Sequence, residues 1–191
     1  MTRLLEESGI YARYVLALFW PNKEAPALEA DPNQANEVSD WGEGDLEILV
    51  EEGRRQLDRQ HEDLERIRGR SQVLLAFGLA LEGAIASLQK SVGIADNFLV
   101  WTLWVLALFV GVWSVLGAGA TSVVRADMQM IHAAVLSRRK PPILPDLAED
   151  YAAIVMVGEN QLATRLTNLR HAVMWLLIAA FLGLLTWVSC P

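Results

Sequence analysis

The stretch FLVWTLWVLALFVGVWSVLGAGA, Phe98 to Ala120, contains no ionisable residue. A helix rises ~1.5 Å per residue, so this segment matches the ~30 Å hydrocarbon core of a bilayer. Two further stretches qualify, Ser71 to Leu88 and Ala172 to Val188. In lipid every backbone N–H and C=O must be satisfied within the protein, and an isolated apolar segment meets that demand only as a helix. The pattern therefore predicts an all-α integral membrane protein with three transmembrane helices.

Charge separates the chain into two parts. Residues 1–70 hold sixteen Asp and Glu against nine Lys and Arg, whereas residues 71–191 hold seven of each. The net charge of −7 thus belongs to the front. An acidic total argues against nucleic acid as a partner, because phosphates attract basic surface. The single cysteine, Cys190, excludes an intrachain disulfide. The opening MTRLLEESGIYARYVLALFW is not expected to be a signal peptide, since Glu6 and Glu7 stand where a basic region belongs. Arg outnumbers Lys thirteen to three, a composition that points to a GC-rich bacterial genome.

Basic residues set the expected orientation. Arg54, Arg55, Arg59, Arg66, Arg68 and Arg70 precede the first span. Arg125, Arg138, Arg139, Lys140, Arg165 and Arg170 lie between the second and third, and only Lys90 lies on the other side. The positive-inside rule then puts the N-terminus in the cytoplasm, the Ser91–Asn97 link outside and Cys190 outside. A bacterial inner-membrane protein is expected. Trp101, Trp104 and Trp187 fall near one set of span ends and Trp113 and Trp175 near the other, as interfacial rings do.

The remaining segments read as follows. Residues 1–20 form an amphipathic helix that either lies on the inner leaflet or packs on the stalk. Residues 21–44 form an acidic linker, and 45–191 the membrane domain. Within that domain a cytoplasmic helix at 45–70, with Asp45 as N-cap, leads into the span 71–88. Its apolar seam, Leu46, Val50, Leu57, Leu64 and Ile67, has a coiled-coil-like 3-4 spacing that Gly53 and Gln60 weaken. After the span 98–120, helices are expected at 121–137 and 146–170, the latter opened by Asp146 and Glu149 as a capping box. The last span is 172–188. The three cytoplasmic helices are expected to pack as a stalk.

No site for chemistry emerges. His61, His132 and His171 lack partners at metal-ligand spacing, and no P-loop, dinucleotide fingerprint or nucleophile motif occurs. No enzyme activity, metal or cofactor is expected. Glu82 stands apart, as the one charge between Arg70 and Lys90. A carboxylate at mid-bilayer costs at least ~2.5–3.5 kcal/mol. Gly78, Ala86 and Gln89 lie within about 40° of it on a helical wheel, a small and polar face suited to packing. Thr102 and Trp104 of the second span offer hydrogen-bond donors at similar depth. Two accounts stay open: a protonated Glu82 that bridges helices, or a Glu82 that meets copies of itself around a wet path in a homo-oligomer. Leu57, Leu64, Gly78 and Ala86 are the expected helix-packing residues, and Glu82, Gln89 and Thr102 the intramembrane polar site.

The segments LERIRGRSQVLLAFGLALEG, entering the first span, and ENQLATRLTNLRHAVMWLLIAAFLGLL, entering the last, carry a resemblance. Their order, with a two-span hairpin and a helical insert between them, resembles the membrane effector domains of bacterial anti-phage systems of the Pycsar and SLATT types. The resemblance implies an oligomerising effector that permeabilises the membrane, triggered by a cytoplasmic sensor or activator protein. The chain departs from the pattern in lacking a fused nucleotide-sensing domain, since residues 1–44 are too short and too polar for one. An ion channel or transporter subunit using Glu82 is the alternative, and a membrane anchor whose acidic front recruits a partner is a third. The orientation is directly testable: a membrane-impermeant maleimide should label Cys190 on intact spheroplasts, and labelling only after lysis would refute it.

Overall fold

The computed structural model describes residues 2–20, 41–91, 97–124 and 141–189. Among these there are four helices and no strand: α1 (Thr2–Ala17), α2 (Glu43–Ser91), α3 (Phe98–Val123) and α4 (Leu144–Val188). α2, α3 and α4 are each long and apolar enough to cross a membrane. Most of the acidic linker, the 92–96 turn, residues 125–137 of the expected 121–137 helix, and Cys190 lie outside the described residues.

The helix boundaries follow local chemistry more than the expected caps. α2 begins two residues before Asp45, with Gly42 C=O accepting from the amides of Asp45 and Leu46. Asp45 is therefore a first-turn carboxylate complementing the helix dipole, not the N-cap. Asp146 is likewise displaced into the first turn of α4, where Ile143 C=O accepts from Leu147. Pro145 tolerates that turn because its missing N–H would have no intrahelical partner there. α3 is capped by Asn97, whose side chain accepts from the Leu99 amide at 3.0 Å. At its other end α3 stops at Val123 with Val124 extended, three residues into the expected 121–137 helix. By contrast, α2 and α4 each pass uninterrupted from charged sequence into apolar sequence.

The chain forms two compact units. One contains α1, α3, the Ile67–Ser91 part of α2 and the Arg165–Val188 part of α4. In it Gly78 meets Val115 and Leu176, while Gly183 meets Ile85. The pairs Gly78–Leu176 and Ile85–Gly183 advance together along α2 and α4, which makes those helices parallel, with α3 antiparallel to both. Small residues fill the contacts: Gly78, Ala107, Gly111, Gly117, Ala118, Ala172 and Ala179 are buried. Large apolar side chains point outward, Phe77, Phe109, Leu177 and Phe181 among them, each at least 60% exposed. Buried hydroxyls bond to carbonyls of their own helix, Ser71 to Ile67, Thr121 to Gly117 and Thr186 to Leu182. Other bonds cross between helices, among them Ser114 Oγ donating to Ala172 O at 2.6 Å and Trp104 Nε1 to Ile85 O at 2.8 Å.

Tyr11 and Val15 share a core cluster with Ala118 of α3 and Ala172 of α4, so α1 packs on the apolar helices of this unit.

The second unit contains the Glu43–Arg66 part of α2 and the Leu144–Thr164 part of α4. Leu46 packs on Ala148, with Leu49, Val50 and Leu144 around them. Gly53 faces Tyr151, and Gln60 donates from Nε2 to Val155 O at 3.0 Å while its Oε1 lies on Gly158. Gly53 and Gln60 are thus buried positions of the seam, and among the described residues the Gln60 Oε1 has no hydrogen-bond partner. Leu64 is buried on the same face and Leu57 is half-buried. The face expected to drive self-association is the face on which α4 lies. The opposite side carries exposed ion pairs, Arg54 and Arg55 with Glu51, and Arg66 with Glu62 and Asp63. The Arg54 guanidinium holds the Glu51 carboxyl below the usual carboxylate range. Such pairs contribute little to stability.

A Cβ on Gly53 would stand 3.0 Å from the Tyr151 Cβ, whereas one on Gly69 would meet nothing within 4 Å. Gly53→Leu should therefore destabilise the chain by about 1–3 kcal/mol through overpacking. Gly69→Ala should stabilise it by up to about 1 kcal/mol through helix propensity. Thermal unfolding followed by circular dichroism in mild detergent checks both, and equal effects of the two changes would refute the packing account.

Candidate functional site

Glu82 lies where three helices cross. Its side chain projects from α2 onto Gly111 of α3, so close that a Cβ on Gly111 would collide with Oε1. The same Cβ would stand 3.3 Å from the Cβ of Ala179 on α4. Only glycine at position 111 leaves space for the carboxyl group. Both carboxyl oxygens are shut off from the surface, and among the described residues neither has a hydrogen-bond partner. An uncompensated carboxylate in apolar surroundings is among the costliest arrangements a protein can contain.

The other residues of the expected polar site are not assembled around it. Thr102 is exposed and donates to Phe98 O of its own helix at 2.8 Å. Trp104 gives its N–H to Ile85 O. Gln89 and Ala86 are exposed, so the packed face of α2 is centred on Ser71, Gly78 and Ile85, with Glu82 at its margin. Of the expected packing residues in this unit, Gly78 is buried and Ala86 is not. Among the described residues Glu82 makes no hydrogen bond to α3 or α4.

A second polar cluster was not legible as a site. Arg165, counted above only as a topological cation, is 4% exposed and donates to Thr121 O and Val124 O, the terminal carbonyls of α3. A cation at a helix C-terminus satisfies orphan carbonyls and complements the dipole. Among the described residues no carboxylate pairs with it. Tyr14 lies within electrostatic reach of Arg165. Burial pushes the Tyr14 phenol above its ordinary value, and the guanidinium pulls it the other way. His171 stacks on Tyr11, ring centroids 5.6 Å apart, and bonds Thr167 O at 3.0 Å. Arg165, Asn168 and Ala172 share one face of α4 by their spacing, and the sequence signal for the cluster is the placement of two polar side chains, Arg165 and Asn168 of RLTNLRH, on that face beside the apolar segment.

The described residues also line surface depressions. One, of about 410 Å³, is lined by Trp41, Gly42, Asp45, Ile48 and Leu49 at the start of α2. Another, of about 210 Å³, is lined only by Phe109, Val110, Trp113 and Trp175. Among the described residues no three of His, Cys, Asp and Glu gather as a metal site would require.

No protein-family model matches the chain, and neither a curated protein nor a solved structure shows significant similarity to it. Fold and geometry thus define an all-helical protein with three helices apolar enough to span a membrane.

The contact between Glu82 and Gly111 is measurable. Gly111→Ala should destabilise the chain by about 1–3 kcal/mol, as overpacking does. In a Glu82→Ala background the same change should cost far less, because the colliding group is gone. Thermal unfolding of the four proteins in one detergent gives this cycle, and an equal penalty in both backgrounds would place the Gly111 constraint elsewhere.

Proposed function

We propose that this chain is an oligomerising bacterial inner-membrane protein that lets ions cross the bilayer, acting as an effector in anti-phage defence. One observation carries the permeation part: a carboxyl group at the crossing of three apolar helices, screened from the surface, to which the described residues offer no donor. Intramembrane carboxylates are costly and mark ion or proton paths more often than they stabilise folds. The pairing such a group needs comes, in this reading, from water, an ion or a second copy of the chain. Outward large apolar side chains and inward small ones support the bilayer as the surrounding medium. The helix directions agree with a three-span path, and the distribution of basic residues supports a cytoplasmic N-terminus and an outside C-terminus. The effector role, with a cytoplasmic sensor or activator as trigger, rests on the resemblance of the two span-entering segments. The same carboxyl group favours one second reading, a constitutive channel or transporter subunit.

Purified chain in liposomes separates these readings. Wild type should conduct, and Glu82→Gln should keep its oligomeric state yet lose or re-select conductance, because the titratable charge is gone. Glu82→Leu should conduct less still, although it inserts more easily. Equal flux for all three proteins would remove Glu82 from the path. Induced expression that arrests growth supports the effector reading, and selective conductance without toxicity supports the second.

A further inference from the structure

The seat of α1 combines a close fit with an unsatisfied floor. Tyr11, Tyr14 and Val15 on its inner face are each at most 2% exposed. Tyr11 sits over Gly117 of α3, where any Cβ would collide with its hydroxyl, and its Oη donates to Trp113 O at 3.1 Å. The same ring stacks on His171 and meets Trp113 edge-on, with centroids 6.1 Å apart. These contacts hold the helix down. Working against them, Tyr14 Oη, Arg165 Nε and both amide atoms of Asn168 are shut off from the surface with no hydrogen-bond partner among the described residues. Asn168 is fully buried and shares its α4 face with Arg165 and with Ala172, which packs on Tyr11 and Val15. A buried polar atom without a partner has lost its bonds to water and received nothing in exchange. Undocking would return Tyr14 Oη to water and uncover the α4 face that carries Arg165 and Asn168.

A released α1 also has somewhere to go. Beyond its buried face, Leu16, Phe19 and Trp20 are exposed, 48%, 61% and 59%, beside an exposed Arg13. An apolar and aromatic edge with a neighbouring cation is the chemistry of a helix that lies on a phospholipid surface.

We propose that α1 is an autoinhibitory latch: docked, it sets Tyr14 over a polar floor formed by Arg165 and Asn168 of α4, and on release it moves to the lipid surface and exposes that floor. The consequence for ion passage rests on the permeation reading above; the latch itself does not. Removing Asn168 with its two unsatisfied atoms should tighten the latch, and filling the space under Tyr11 should open it. The test is hydrogen–deuterium exchange on the full chain in phosphatidylethanolamine–phosphatidylglycerol nanodiscs, read at the amides of residues 10–16. In wild type these should exchange faster than those of α3. Asn168→Leu should slow them about tenfold and Tyr14→Phe should slow them less, the expected size of relieving unsatisfied polar atoms. Gly117→Ala should accelerate them about tenfold while α3 and α4 keep their protection. If Gly117→Ala does not fold, the two tightening variants decide. Unchanged or faster exchange in Asn168→Leu, or α1 amides as protected as those of α3, overturns the latch. Liposome flux on the same variants then tests its consequence: flux that rises with α1 exchange supports both ideas. Exchange that responds while flux is present but unchanged overturns the inhibitory role of α1, and no flux from any variant overturns the permeation reading.

Discussion

At Gly111 the backbone of α3 comes so near α2 and α4 that a methyl group would not fit beside the Glu82 carboxyl and the Ala179 side chain. The unit formed by α1, α3 and the apolar parts of α2 and α4 depends on approaches of this kind. Gly78 against Val115 and Leu176, Gly183 against Ile85 and Gly117 beneath Tyr11 are the others. Helices surrounded by apolar side chains gain little from hiding further apolar surface, so association falls to van der Waals contact and to hydrogen bonds between helices. Small residues allow the first. Ser114 to Ala172 O and Trp104 to Ile85 O supply the second. Large side chains, excluded from these contacts, are left on the outside.

The same close packing explains how polar groups are distributed. Hydroxyls of Ser71, Thr121 and Thr186 turn back onto their own helices, which satisfies them without needing a neighbour. Arg165 is spent on the end of α3, where its charge meets terminal carbonyls in place of a carboxylate. Glu82 and Asn168 have no such solution among the described residues, and they stand at the crossing of α2 with α3 and on the α4 face beneath α1. Buried polar atoms left without partners are exceptional in folded proteins and ask for an explanation. Permeation and latching supply one for each.

In the other unit, glycine and glutamine occupy positions that a simple apolar seam would give to leucine. Gly53 makes room for the Tyr151 ring, and Gln60 bonds the Val155 carbonyl across the contact. Both choices tie α2 to α4 of the same chain. Leu64 on that face is consequently buried within the single chain.

The sequence alone determined the class of the protein and its long helices. Apolar runs of bilayer length, free of charge or nearly so, leave the backbone one way to satisfy itself, and that argument needs no partner. It also singled out Glu82, because the cost of a charge in a long apolar run depends only on local composition. Tertiary structure alone decided which side of each helix faces inward. A rotation of about 40° on α2 separates Ala86, which is exposed, from Glu82, and a helical wheel by itself has no reference from which to measure that angle. Partners were decided there too: Thr102 and Trp104 have donors at a suitable depth, yet one turns to Phe98 and the other to Ile85. The seat of α1 and the capping role of Arg165 join residues more than forty positions apart. Their contacts arise from the packing of small residues between helices, and a periodicity read along one helix does not contain the register of its neighbour.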